Sequence, residues 1–118
     1  MPYIDAYVMP VLKAREAEYV EWGKLGAKVW LEHGALSYLE SRADDVPEGK
    51  VTSFPLAVKL EPDEILYLAY ATFRDRAHRD EVNAKAWADP RMENVMKDFP
   101  ANMQRMIWGG FSTVVTAP

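Results

Sequence analysis

The sequence has 118 residues, 49% hydrophobic and 27% charged, enough for one globular domain with a real core and too few for two. It contains no cysteine and two histidines, which excludes disulfides, thiol nucleophiles and iron–sulfur clusters and argues against a structural zinc site. Fourteen basic residues against eighteen acidic ones give a net charge of −4, a balance that disfavours nucleic acid as a partner.

No apolar run approaches the ~20 residues of a membrane span. The start, Met1-Pro2-Tyr3-Ile4-Asp5, lacks the basic and apolar regions of a signal peptide. The expectation is a single cytoplasmic domain over residues 1–118 that binds neither membrane nor nucleic acid.

Tyr3 to Val11 is rich in β-branched and aromatic residues and reads as a strand with bulk on both faces. Residues 13–32 read as a helix. Glu18, Glu21, Lys24, Lys28 and Glu32 gather on one side, and Tyr19, Val20, Trp22, Trp30 and Leu31 cover the rest with Gly23 and Gly26. Each of those glycines costs a helix roughly 1 kcal/mol relative to alanine, so a close backbone approach is expected there. Gly34 supplies the left-handed stop after His33.

Residues 35–42 alternate as a second strand, with Leu36, Tyr38, Glu40 and Arg42 on one face. Asp44 to Lys50 is a turn-rich loop, and 54–60 reads as irregular or a single helical turn. Ile65 to Phe73 is nearly all apolar, the pattern of a central strand. Asp75 caps a helix running to Trp87. Asp89-Pro90 starts another, with Met92, Val95, Met96 and Phe99 at helical spacing and Pro100 as its end. Met106 to Thr116 is the last strand, interrupted by Gly109-Gly110.

The resulting βαββαβ order predicts an α+β, ferredoxin-like domain, a four-stranded antiparallel sheet with helices on one face. The opposite face carries apolar side chains, which predicts a homodimer joined sheet to sheet.

Several segments carry a resemblance: Glu32-His33-Gly34-Ala35-Leu36, the block Asp44 to Phe54, Ala57-Val58-Lys59, Arg79-Asp80, Asp89-Pro90-Arg91-Met92, Arg105-Met106-Ile107 and Gly109-Gly110-Phe111. In these the sequence resembles the YbaA-like family of uncharacterised small bacterial proteins. That family is similar to the dimeric α/β-barrel superfamily, which implies ferredoxin-like homodimers and includes cofactor-free monooxygenases, haem-degrading enzymes, isomerases and stress-response proteins. The resemblance carries no activity of its own. Two positions depart from the family pattern: Arg42 stands where a tryptophan is usual, and Ser112 where an acid follows Gly-Gly-Phe.

Six residues are candidates for a site. His33 is either a general base in a cleft or a helix-end histidine favoured by the helix dipole. Arg79 and Asn83, four apart on one helical face, would orient a substrate oxygen or else pair with an acid such as Asp5, Asp80 or Glu40. Trp30, Tyr38 and Trp108 would line an apolar pocket beside Gly109-Gly110, whose structural alternative is a tight crossing over Gly23 and Gly26. His78 is expected to be exposed. Arg91 is open to an inter-chain ion pair or an anion, and Arg105 has no evident structural need for its charge. No cofactor or metal is called for. The functional expectation is a small apolar or aromatic molecule bound or transformed between sheet and helices, in the manner of a cofactor-free monooxygenase or isomerase. The alternative is a non-catalytic homodimeric stress-response or structural module.

Overall fold

The computed structural model describes residues 2–117. Four strands form one antiparallel sheet: β1 (Tyr3–Leu12), β2 (Ser37–Arg42), β3 (Glu64–Phe73) and β4 (Ile107–Ser112), in spatial order β2-β3-β1-β4. A 3-10 turn at Lys13–Arg15 leads into helix α1 (Glu16–Glu32). Helix α2 (Phe54–Ala57) is a single turn, and α3 (Arg76–Ala88) follows β3. No helix among the described residues is long and apolar enough to cross a membrane.

The central pair is the longest. β1 and β3 register from Tyr3 opposite Phe73 to Leu12 opposite Glu64, which puts Tyr3, Asp5, Tyr7, Met9 and Val11 on the helix-covered face. Phe73, Val11, Val29 and Val82 are fully buried between that face and the helices. Residues 43–60 fold back over one end of the outer face, where Val46, Val58 and Leu60 pack on Val8 and Leu66. The rest of the outer face stays open: Leu39, Leu68, Ile107 and Phe111 are all exposed.

The caps behave as the sequence implies. Asp75 accepts the amide of His78 at 2.8 Å, Ser53 accepts that of Leu56 at 3.0 Å, and Gly34 takes φ +114° after the last turn of α1.

Four expectations are corrected. The helix expected over 90–99 is a 3-10 turn at Pro90–Met92 followed by further turns, in which the amides of Val95 and Lys97 reach back only three residues, to Met92 and Asn94. Nine residues between two prolines make a marginal helix, and Asn94 and Asp98 lower its propensity further.

The last strand ends at Ser112 rather than Thr116 because Ser112 pairs with Tyr3, the first residue of its only neighbour. Gly109-Gly110 does not cross α1. Gly110 faces Tyr3, whose ring carbon Cε1 would lie 2.8 Å from an added Cβ, while Gly23 and Gly26 face Glu40 and Tyr38 of β2. His78 is buried, not exposed: its Nδ1 accepts the amide of Arg74 at 2.9 Å and its ring meets Phe73 edge-on.

The two arginines without an assigned role are structural within the chain. Arg91 bonds Glu32 at 2.6 Å and Asp89 at 2.8 Å. Arg105 pairs with the buried Glu64 and donates to the carbonyls of Val58 and Lys59, which ties the 43–60 segment to the sheet.

Candidate functional site

The helix-covered face does not close completely. A cavity of about 130 Å³ lies between the sheet, α1 and the connection to β4. Tyr7 and Met9 of β1, Tyr38 and Glu40 of β2, and Ala69 and Ala71 of β3 form its floor. Tyr19, Trp22, Gly23, Gly26 and Trp30 of α1 form one wall, with Trp87 of α3 beside them. Met92, Val95, Met96, Phe99, Met103 and Met106 form the roof. The small residues make the space: alanines at 69 and 71 lower the floor, and the two glycines of α1 leave no side chain over β2. The roof is thioether-rich and without regular helix, a wall that can adapt to what it covers.

Glu40 is the one charged side chain on this lining. It enters because α1 carries no side chain at Gly23; a Cβ there would lie 2.8 Å from Glu40 Oε2. Tyr38 donates to Oε2 at 2.9 Å and Tyr19 donates to Oε1. Burial pushes the Glu40 carboxyl above its ordinary range, and the Tyr19 and Tyr38 hydroxyls oppose that shift. The same arrangement seen from the phenols drives both far above 10, by burial first and by the Glu40 charge second. On its other side Glu40 borders an open groove of about 380 Å³, shared with Lys24, Arg42 and Tyr67. The carboxyl therefore stands between a partly open apolar cavity and a solvent-filled groove.

A second polar system anchors the cavity from behind. Asp5, 1% exposed, receives Arg79 at 2.6 Å on Oδ1 and the Asn83 amide at 2.9 Å on Oδ2. Asn83 Oδ1 in turn accepts the Trp30 indole N–H at 2.9 Å, which fixes the plane of a cavity wall. Trp30 then meets Trp87 edge-on at 5.0 Å.

The six sequence candidates separate into three groups. Trp30 and Tyr38 line the cavity. Arg79 and Asn83 lie behind it, holding this chain's own Asp5 rather than an open position, and Arg79 also bonds Asp80 at 2.8 Å. His33 and Trp108 are elsewhere. His33 caps α1 and bonds Asp89 at 2.9 Å, and Arg91, then His33, hold the Asp89 carboxyl well below the usual range. Trp108 is 61% exposed on edge strand β4, on the same sheet face as its cross-strand partner Tyr7 and stacked on it at 6.3 Å, outside the cavity lining. Burial, then Asp5, pushes that Tyr7 hydroxyl up to about 12.

Glu40, Tyr19 and the methionine roof are the site residues that sequence reasoning missed. The signal was present: Tyr38 and Glu40 alternate onto one strand face, and Gly23 and Gly26 announce a close approach to α1.

A family model described as "Protein of unknown function (DUF1428)" matches residues 2–103. The chain belongs to this family. It is 36% identical over 115 residues to the uncharacterised protein YbaA of Escherichia coli strain K12, covering 98% of each chain. The uncharacterised YbaA of Shigella flexneri matches to the same extent. The DUF1428 match spans β1 to the roof of the cavity, so every element that contributes a lining residue, other than Met106, lies inside the family's boundaries.

Proposed function

We propose that the protein binds a small molecule with an apolar or aromatic body, about one ring in size, in the helix-side cavity of a ferredoxin-like homodimer. The observation that carries this reading is a single carboxyl, paired only with tyrosine hydroxyls, on an otherwise uncharged and largely aromatic lining. An apolar cavity of about 150 Å³ accommodates benzene, so about 130 Å³ suits a single ring. In the monooxygenase- or isomerase-like form of this reading, Glu40 takes the proton-handling role expected of His33, because Glu40 borders the cavity and His33 is engaged with Asp89.

Thermal melting with neutral one-ring compounds tests the reading. Benzyl alcohol is expected to raise the melting temperature in a concentration-dependent way, by the mass-action stabilisation of a bound state. An Ala69→Met substitution, which fills the floor, is expected to abolish that rise. No rise in the unsubstituted protein with benzyl alcohol, phenol or toluene would exclude a one-ring site.

The cavity's size also favours a second reading, since ligand sites are usually ~300 Å³ or more. In that reading the protein is a non-catalytic homodimeric module and the helix side is only imperfectly packed. Both readings use the outer sheet face, where Leu39, Leu68, Ile107 and Phe111 form the interface between copies. Sedimentation should give a dimer, and Leu68→Arg should give a folded monomer; a monomeric unsubstituted protein would remove the interface from both readings.

A further inference from the structure

We propose that the cavity's ligand carries a positive charge, as a primary or methylated ammonium on a body of about one ring, with Glu40 as its counter-ion. This rests on the reading of the cavity as a binding site and adds the chemistry of the head group.

Buried carboxylates are ordinarily neutralised by a cation, because an unpaired charge away from water costs several kcal/mol. The rest of this fold obeys that rule. Asp5 is met by Arg79, and Glu64 by Arg105. Glu40, half-buried where Asp5 and Glu64 are fully so, has no ion pair among the described residues. The cations nearest to it in the open groove are engaged elsewhere, Arg42 with Glu16 at 3.2 Å and Lys24 with Glu21 at 3.0 Å. Its two hydrogen bonds come from neutral phenols, one on each oxygen, and a carboxylate accepts about four. Acceptor capacity remains, and no cation of the described chain neutralises the carboxylate form.

The surroundings match the same chemistry. Tyr19, Trp22, Trp30, Tyr38 and Phe99 present rings to the cavity, and aromatic faces attract organic cations by about 0.5–2 kcal/mol each depending on desolvation. An anion would meet the Glu40 charge, and the unpartnered donor on the lining, the buried Trp22 indole N–H, is neutral and does not offset that repulsion. The groove on the far side of Glu40 supplies a route from solvent that ends at the carboxylate.

The groups facing Glu40 are few. From α1 they are Tyr19 and Lys24, from β2 Tyr38 and Arg42, and from β3 Tyr67, whose hydroxyl is donated to Glu16 at 2.6 Å. The phenols Tyr19, Tyr38 and Tyr67 are all pushed upward, Tyr67 to about 12, and burial pushes the Glu40 carboxyl above its ordinary range, so Glu40 is the group of this set that gains a proton as pH falls. Ammonium binding therefore weakens as pH falls through the Glu40 range.

Calorimetric titration of benzylamine, benzyl alcohol and benzoate into the full-length protein at neutral pH tests the proposal. Benzylamine is expected to bind roughly tenfold tighter than benzyl alcohol, an ion-pair and cation–π increment of modest size. Benzoate is expected not to bind. Glu40→Gln should erase the preference for benzylamine while benzyl alcohol still binds, and Tyr38→Phe, which keeps the charge, should retain the preference. If Glu40→Gln does not fold, the pH profile of the unsubstituted protein decides, since the preference should be lost on acidification. Equal or tighter binding of benzyl alcohol or benzoate overturns the ammonium proposal and leaves the cavity reading standing. Failure of all three to bind overturns both.

Discussion

Glu40 shows how one residue can be visible in a sequence and still have its role concealed. Its strand neighbours Leu39 and Ser41 resemble a half-exposed edge strand, and nothing local marks the carboxyl as enclosed. Enclosure comes from across the fold, from the missing side chains at Gly23 and Gly26. His33 shows the reverse. A lone histidine next to a helix end attracts attention, yet it closes a bond to Asp89 that any helix terminus could use. A raised carboxyl pKa has a definite sign in stability. The folded protein then binds the Glu40 proton more tightly than the unfolded chain, so this group's contribution falls as pH rises above the unfolded value of about 4.5. Glu40→Gln is therefore expected to gain stability relative to the unsubstituted protein at neutral pH, with the difference shrinking below pH 4.5. Denaturant melts at the two pH values check this; a difference that grows on acidification contradicts it.

At the scale of elements, the sheet and the two long helices were legible because period and punctuation agree. β-branched and aromatic content sets β1, alternation sets β2, an unbroken apolar run sets β3, and Asp75 and Gly34 mark helix ends with their own side chain or φ. The connection after α3 was not legible. Its apolar spacing is helical, but the spacing reports only which residues point inward, and Met92 and Val95 are buried without an α-helix to carry them. The alternative pairing of Arg79 and Asn83 with Asp5 was legible as soon as Asp5 was placed on the helix-facing side of β1. That trio fastens α3 to β1 and, through Trp30, to α1. Asp5→Ala leaves a largely buried guanidinium and an amide without their acceptor. We expect a loss of about 3–5 kcal/mol in denaturant unfolding. A loss under ~1 kcal/mol would mean that the trio does not hold these elements together.

The whole molecule presents two apolar surfaces of different character. The outer sheet face is open, with Leu39, Leu68, Ile107 and Phe111 exposed on it, and is the proposed interface between copies. The helix side holds a partly open, aromatic-rich cavity marked by one carboxyl, the proposed small-molecule site. The sequence foretold both faces, since bulk alternates onto each side of β1 and β3, but the volume left between them depends on how the 90–106 segment closes. The methionines allow the two surfaces to be read separately. Met9, Met92, Met96, Met103 and Met106 all border the cavity, and the open centre of the outer face has no methionine. Methyl-carbon NMR of methionine-labelled protein during a benzyl alcohol titration is the most direct measurement. The account predicts saturable shifts in those five methyl signals. Saturating benzyl alcohol with the five signals unmoved would contradict it.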